Sequence, residues 1–202
     1  MDVSDDSDMV RLQPDQPFQE SAYTVSPLVI VGTRSPEGED DLAPKHMAFP
    51  VGWDDYYGFV CTPEHQTYAN AVDTGVFTVS YPKPDGLLDA TMAAGPRTES
   101  GDKPTLGYVD RVEASEVDAP VVADAYAVLE CELERVVDGF GRASFVVGEA
   151  KAKYVDRDAL RHDDSDADRL LGKAPLLAYL YPDRVTAVDE SIEFPFPGGF
   201  ER

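Results

Sequence analysis

The stretch LAPKHMAFPVGW (42–53) places a Pro, a Lys, a His and a Met side by side, at Pro44 to Met47. Cations are scarce in this chain, so Lys45 beside His46 points to an anionic ligand such as a phosphate, which an ammonium binds as a compact charge. The competing reading of the same residues is a surface ion pair from Lys45 and a packed imidazole at His46. A second polar cluster, Thr62, His65, Gln66 and Thr67, opens the segment TPEHQTYANAVDTG (62–75). Its punctuation predicts a helix: Thr62 can cap it, Pro63 suits the first helical position, and Gly75 can close it. Free N–H groups and the dipole at such a start favour a bound phosphate, although any capped helix offers the same features.

Other chemistry-bearing patterns are weaker. GFGRAS (139–144) looks like a dinucleotide glycine loop, but it lies between two strand-like runs and lacks the third glycine and the following helix. It predicts a hairpin turn instead. The run DDSDAD (163–168) offers alternating carboxylates, yet a calcium loop starting at Asp164 would have Arg169 where Gly is needed and Pro175 where a bidentate Glu is needed. It reads as a solvated acidic face. His46, His65 and His162 are too scattered for a metal triad, and a hydrolytic triad has no GxSxG elbow to stand on. Neither a metal ligand set nor a catalytic residue is assigned. Cys61 and Cys131, far apart in apolar surroundings, read as buried free thiols.

The elements that must position these residues are mostly strands. PLVIVGTR (27–34) is a β-branched run halted by SPEGEDD, and residues 56–61 and VFTVSY (76–81) predict two more strands. The stretch between 34 and 56, with Lys45 and His46, reads as a loop between strands. Within the helix, Tyr68, Ala71 and Val72 are expected to share the inner face. Residues 82–120 read as a long connection with one or two short helices around 87–93. AYAVLECELERVV (125–137) and RASFVVGEAKAKYV (142–155) predict a hairpin, DRDAL opens a capped helical turn, and PLLAYLYPDRVTAV supplies a last strand pair. Alternating βα units are missing, which argues against a doubly wound nucleotide fold.

Composition bounds the setting. Hydrophobic residues make up 43% and charged residues 28% of 202 residues, enough apolar material for one full core. The expected organisation is an acidic, flexible arm over 1–20 and one domain over 21–202. With 39 acidic against 17 basic residues and a net charge of -22, the chain repels nucleic-acid phosphates and anionic membranes. Such self-repulsion calls for screening, and the Debye length shrinks to roughly 3 Å at 1 M salt. Arg outnumbers Lys and Asn70 is the only asparagine. The expectation is a protein of a high-salt cytoplasm; no run reaches the ~18 apolar residues of a membrane span.

The order of these segments resembles the flavin reductase-like, FMN-binding split-barrel family. The matching pieces are PLVIVGT (27–33), DLAPKHMAF (41–49), YYGFVCT (56–62), TYANAVDTG (67–75), VFTVSY (76–81) and the hairpin LECELERVVDGFGRASFVVGEAKAKYV, so the likeness covers about residues 22 to 200. It implies a mainly β fold, an antiparallel Greek-key split barrel with a few helices, and FMN at a homodimer interface. It further implies that Ala43, Pro44, Lys45, His46, Met47 and Ala48 border the flavin ring and ribityl chain, with Thr33 at the edge. Thr67 and Asn70 would hold the ribityl-phosphate end, with Lys45 its charge partner. Electrons would pass from NAD(P)H through FMN to flavin, ferric iron or a partner monooxygenase; a non-catalytic flavin-binding electron carrier is the alternative. Two departures stand out: Asp41 replaces an Asn of many relatives, and Gly141, Arg142 and Ala143 occupy a turn where many reductases carry a His linked to nicotinamide handling.

Overall fold

The computed structural model describes residues 9–161, 167–197 and 199. A short helix α1 (Phe18–Ser21) within the expected arm leads to β1 (Val25–Pro27) and β2 (Val29–Arg34). Next come β3 (Asp40–Lys45), β4 (Ala48–Pro50), β5 (Tyr56–Cys61), α2 (Gln66–Thr74) and β6 (Val76–Pro82). Helix α3 (Leu87–Ala93) and a 3-10 turn (Pro104–Tyr108) precede β7 (Arg111–Glu113) and β8 (Pro120–Val122). The long hairpin β9 (Ala125–Phe140) and β10 (Ala143–Val155), helix α4 (Ala167–Lys173), and β11 (Leu176–Leu180) with β12 (Arg184–Val188) complete the order. His162 and most of the acidic run 163–168 lie outside the described residues.

The main sheet has the order β3-β2-β6-β9-β10-β5-β4, all antiparallel. Its two edge strands, β3 and β4, are consecutive in the chain and separated only by His46 and Met47. Two residues bridge roughly 10 Å at most. The sheet therefore curls until its edges meet, and the seam of this half-barrel runs through His46–Met47. A bond from Val60 N to Met47 O (2.8 Å) ties the seam to β5.

Alternation along β2 divides the core. Val29 and Val31 join one cluster with Phe59, Ala71 and Phe77, while Leu28 and Ile30 join another with Leu42, Ala90 and Leu106. Gly32 lies where β8 crosses close over the sheet: a Cβ there would sit 2.1 Å from Pro120 O. The β9–β10 hairpin turns at Gly141–Arg142 with positive φ only at Gly141 (65°), the pattern of a two-residue turn opened by glycine. Cys61 and Cys131 are buried free thiols.

Four expectations are corrected. The segment read as a loop around Lys45 is largely strand: Pro44 fits because β3 is an edge, where a missing N–H breaks no ladder. The helix begins at Gln66 rather than Thr62, because His65 N bonds Thr62 O (2.9 Å) and closes a separate turn first. Gly75 does close it, at φ 73°. Val72 is exposed, and the inner face is Thr67, Asn70 and Ala71, with Tyr68 half-buried. The long connection 82–120 contains the β7–β8 hairpin as well as its helices.

Candidate functional site

Antiparallel pairing sets Asp41 opposite Thr33, Ala43 opposite Val31 and Lys45 opposite Val29, so 41, 43 and 45 share the face of the sheet on which α2 packs. The chain after α3, residues 94–103, wraps round the exposed edge of β3. Between this wrap, β3 and the start of α2 lies an open groove of about 440 Å³, lined among others by Ala43, Lys45, Gln66, Thr67, Arg97 and Lys103. Its size is that of small-molecule clefts.

A single buried carboxylate organises it. Asp41 accepts from Arg97 Nη2 (2.7 Å) and Lys103 Nζ (3.3 Å) on Oδ1, and from Thr67 Oγ1 (2.8 Å) on Oδ2. Burial pushes the Asp41 carboxyl up, but Lys103, the Thr67 hydroxyl and Arg97 together outweigh it and hold the carboxyl below its usual value. Lys103 also donates to Leu42 O (2.7 Å), covering a carbonyl of the edge strand. Behind this wall, Gln66 Nε2 donates to Asn70 Oδ1 (2.7 Å) and Asn70 Nδ2 to Thr33 Oγ1 (3.1 Å). These bonds satisfy the buried amide and hydroxyls and dock α2 on β2. No described side chain caps α2 at His65. Lys45, unlike Arg97 and Lys103, has no ion-pair partner among the described residues.

The structure divides the residues expected at the site. Ala43, Pro44, Lys45 and Thr67 line the cationic groove, with Thr33 and Asn70 buried directly behind it. His46, Met47 and Ala48, across the seam, line a second, apolar groove of about 410 Å³ with Val25, Phe49 and Tyr181. His46 stacks on Tyr179 (centroids 4.7 Å apart) and leans on Tyr181, and its Nε2 is buried without a hydrogen-bond partner among the described residues. Burial, aided by Lys45, pulls the His46 pKa down and keeps the ring neutral near pH 7. Sequence reading missed Arg97 and Lys103, which lie 56 and 62 positions from Asp41 in an aperiodic stretch. The one available signal was a pair of cations six residues apart, in PRTESGDKP, within a connection where acidic residues outnumber basic ones.

The sequence profile of the flavin reductase like domain matches residues 21–182. The chain belongs to the flavin reductase-like domain family. Its curled antiparallel sheet is the split barrel described for solved structures of similar fold. Nitrilotriacetate monooxygenase component B from Bacillus cereus is similar at TM-score 0.78 and 17% identity, over 94% of this chain and 100% of that one. Flavoredoxin of Desulfovibrio vulgaris (Miyazaki F) matches at 0.74 and 20%, over 95% and 100%. The FMN-binding protein from Thermus thermophilus with bound p-hydroxybenzaldehyde matches at 0.73 and 20%, over 93% and 99%. No curated protein sequence matches the chain. Among the described residues of this flavin reductase-like chain, no helix is long and apolar enough to cross a membrane.

Proposed function

We propose that the chain is an FMN-binding oxidoreductase that takes electrons from NADH or NADPH and passes them to free flavin, ferric iron or a partner monooxygenase. The observation that carries the proposal is the gathering of Lys45, Arg97 and Lys103 at the uncapped start of α2, in a family-typical barrel of net charge -22. Three cations and free helix N–H groups fit a phosphate dianion. Similarity to an FMN-binding protein and to a monooxygenase component supports the cofactor and the class of acceptor.

When bound, FMN supplies hydride acceptance and electron release, and the protein supplies binding, orientation and electrostatics. Lys45, Arg97 and Lys103 hold the phosphate. Thr67, bonded to Asp41 of β3, and Asn70, bonded to Thr33 of β2, fix the helix start against the sheet so that its N–H groups stay aimed at the groove. His46, Met47 and Ala48 border the ring with apolar surface and a neutral imidazole, excluding water from one side of it. A homodimer would cover the apolar groove, whose rim exposes Phe18, Val25 and Phe49. A cytoplasm rich in salt accounts for the tolerance of so large a net charge.

One observation favours a second reading. The β9–β10 turn carries Gly141 and Arg142 rather than an imidazole, which suits a flavin-binding electron carrier that does not oxidise a nicotinamide itself. The visible spectrum in concentrated KCl, before and after anaerobic NADH or NADPH, separates the readings. A flavin band bleached by either nucleotide is expected. A stable unbleached band selects the carrier, and a colourless protein that takes up no added FMN removes the flavin.

A further inference from the structure

We propose that Asp41 is the site's internal counter-ion: it holds Arg97 and Lys103 in place across the edge of β3 as fixed cations, so an incoming phosphate meets donors already aimed. This rests on the flavin reading above and deepens it by giving a positioning role to a residue that touches no ligand.

The geometry joins three distant segments on one carboxylate, with Arg97 and Lys103 sharing Oδ1 and Thr67 on Oδ2. Side-chain exposure is 3% for Asp41 and 8% for Lys103, so the pair is largely shielded from water and attracts more strongly than a surface pair. Arg97 also donates to Gly101 O (2.6 Å), which folds its own loop back on itself. An Asn at this position would leave Arg97 and Lys103 facing each other without a compensating charge.

The protonation of Lys103 depends on this contact. Burial pulls its pKa down, Arg97 and Lys45 push the same way, and Asp41 is the group that opposes them. Glu64 and His65 stand across the groove, and Glu39, Asp40, Asp102 and Arg111 line the neighbouring cleft behind it. Among the described residues only Asp41 lies within ion-pair distance of Lys103. Without the carboxylate, Lys103 sheds its proton at lower pH, and phosphate binding fails with it.

FMN affinity, measured between about pH 7 and about pH 10 at constant KCl, tests this. Inorganic phosphate binding is followed in parallel by phosphorus NMR. Asp41→Asn should bind FMN roughly tenfold or more weakly at neutral pH and lose it about one pH unit earlier than wild type. Thr67→Ala keeps the carboxylate, so whatever affinity it loses its alkaline fall should stay where wild type has it, and a fall shifted as in Asp41→Asn overturns the proposal. A folded Asp41→Asn whose profile superimposes on wild type overturns the proposal. Should that variant not fold, Lys103→Arg decides: its guanidinium does not titrate, so the alkaline fall must move to higher pH, and a fall at the wild-type position overturns the proposal. Wild type that takes no FMN but shows these shifts with inorganic phosphate keeps the counter-ion and discards the flavin.

Discussion

Two grooves flank the seam of the barrel, and they are built on opposite principles. The one on the β3 side is made of charge: Arg97 and Lys103 are immobilised on a buried carboxylate, and a helix start contributes its dipole. The one on the β4 side is made of contact surface: Met47, Ala48 and Phe49 face Val25 and Tyr181, and its imidazole is neutral. In a chain this acidic, exposed cations would be drawn into pairs with surface carboxylates, as Arg34 is by Asp40, Glu113 and Asp118. Keeping two cations available at a site thus requires a dedicated anion that the solvent cannot reach. Apolar surface needs no such support.

Salt should break this contrast most strongly. Moving from concentrated KCl to about 0.1 M lengthens the Debye length from roughly 3 Å to roughly 10 Å, so thermal unfolding should shift to much lower temperature; a melting curve indifferent to KCl refutes the charge argument. Arg97→Ala should cost roughly 10- to 100-fold in FMN affinity by fluorescence titration at fixed KCl, the range of a lost charge-assisted hydrogen bond. Lys45→Ala, at a half-buried position, should cost about 3- to 10-fold, and an unchanged dissociation constant removes Lys45 from the site. Phe49→Ala, which unstacks Phe145 (5.4 Å) on the apolar side, should leave inorganic phosphate binding within about twofold of wild type. The smallest effect concerns pH. His46 titrates below the ordinary histidine value, so it stays neutral from about pH 7 upward and should add no pH dependence to FMN binding near neutrality. A His46→Gln variant that alters the pH profile between about pH 7 and about pH 8 contradicts this.

The sequence was most legible where burial is one-sided and local. The apolar runs at 27–34, 56–61 and 76–81, the hairpin and the final strand pair all appear as strands within a few residues, because β-branched alternation reports a buried face directly. Legibility failed at edges. Pro44 and Lys45 look like a loop because an edge strand tolerates residues that a central strand excludes. The inner face of α2 was misjudged because Thr67 and Asn70 are buried as polar residues, satisfied by partners 26 and 37 positions away that no window contains. Arg97 and Lys103 escaped for the same reason: only the topology brings the 94–103 wrap over β3. Lys45 was legible because a lone cation in acidic surroundings stands out, and the structure does bring it beside the helix start.

The His46–Met47 link has a metric consequence. Strand β3 is held to β2 and strand β4 to β5 by backbone ladders, so two residues of covalent chain fix how far the charged cleft stands from the greasy one. That spacing is set by bond lengths rather than by ionic strength or side-chain choice. On the proposed reading the link would act as a ruler for a molecule with an anionic end and a planar end, and a residue inserted between His46 and Met47 would change the length accepted while leaving the cation cluster on Asp41 in place.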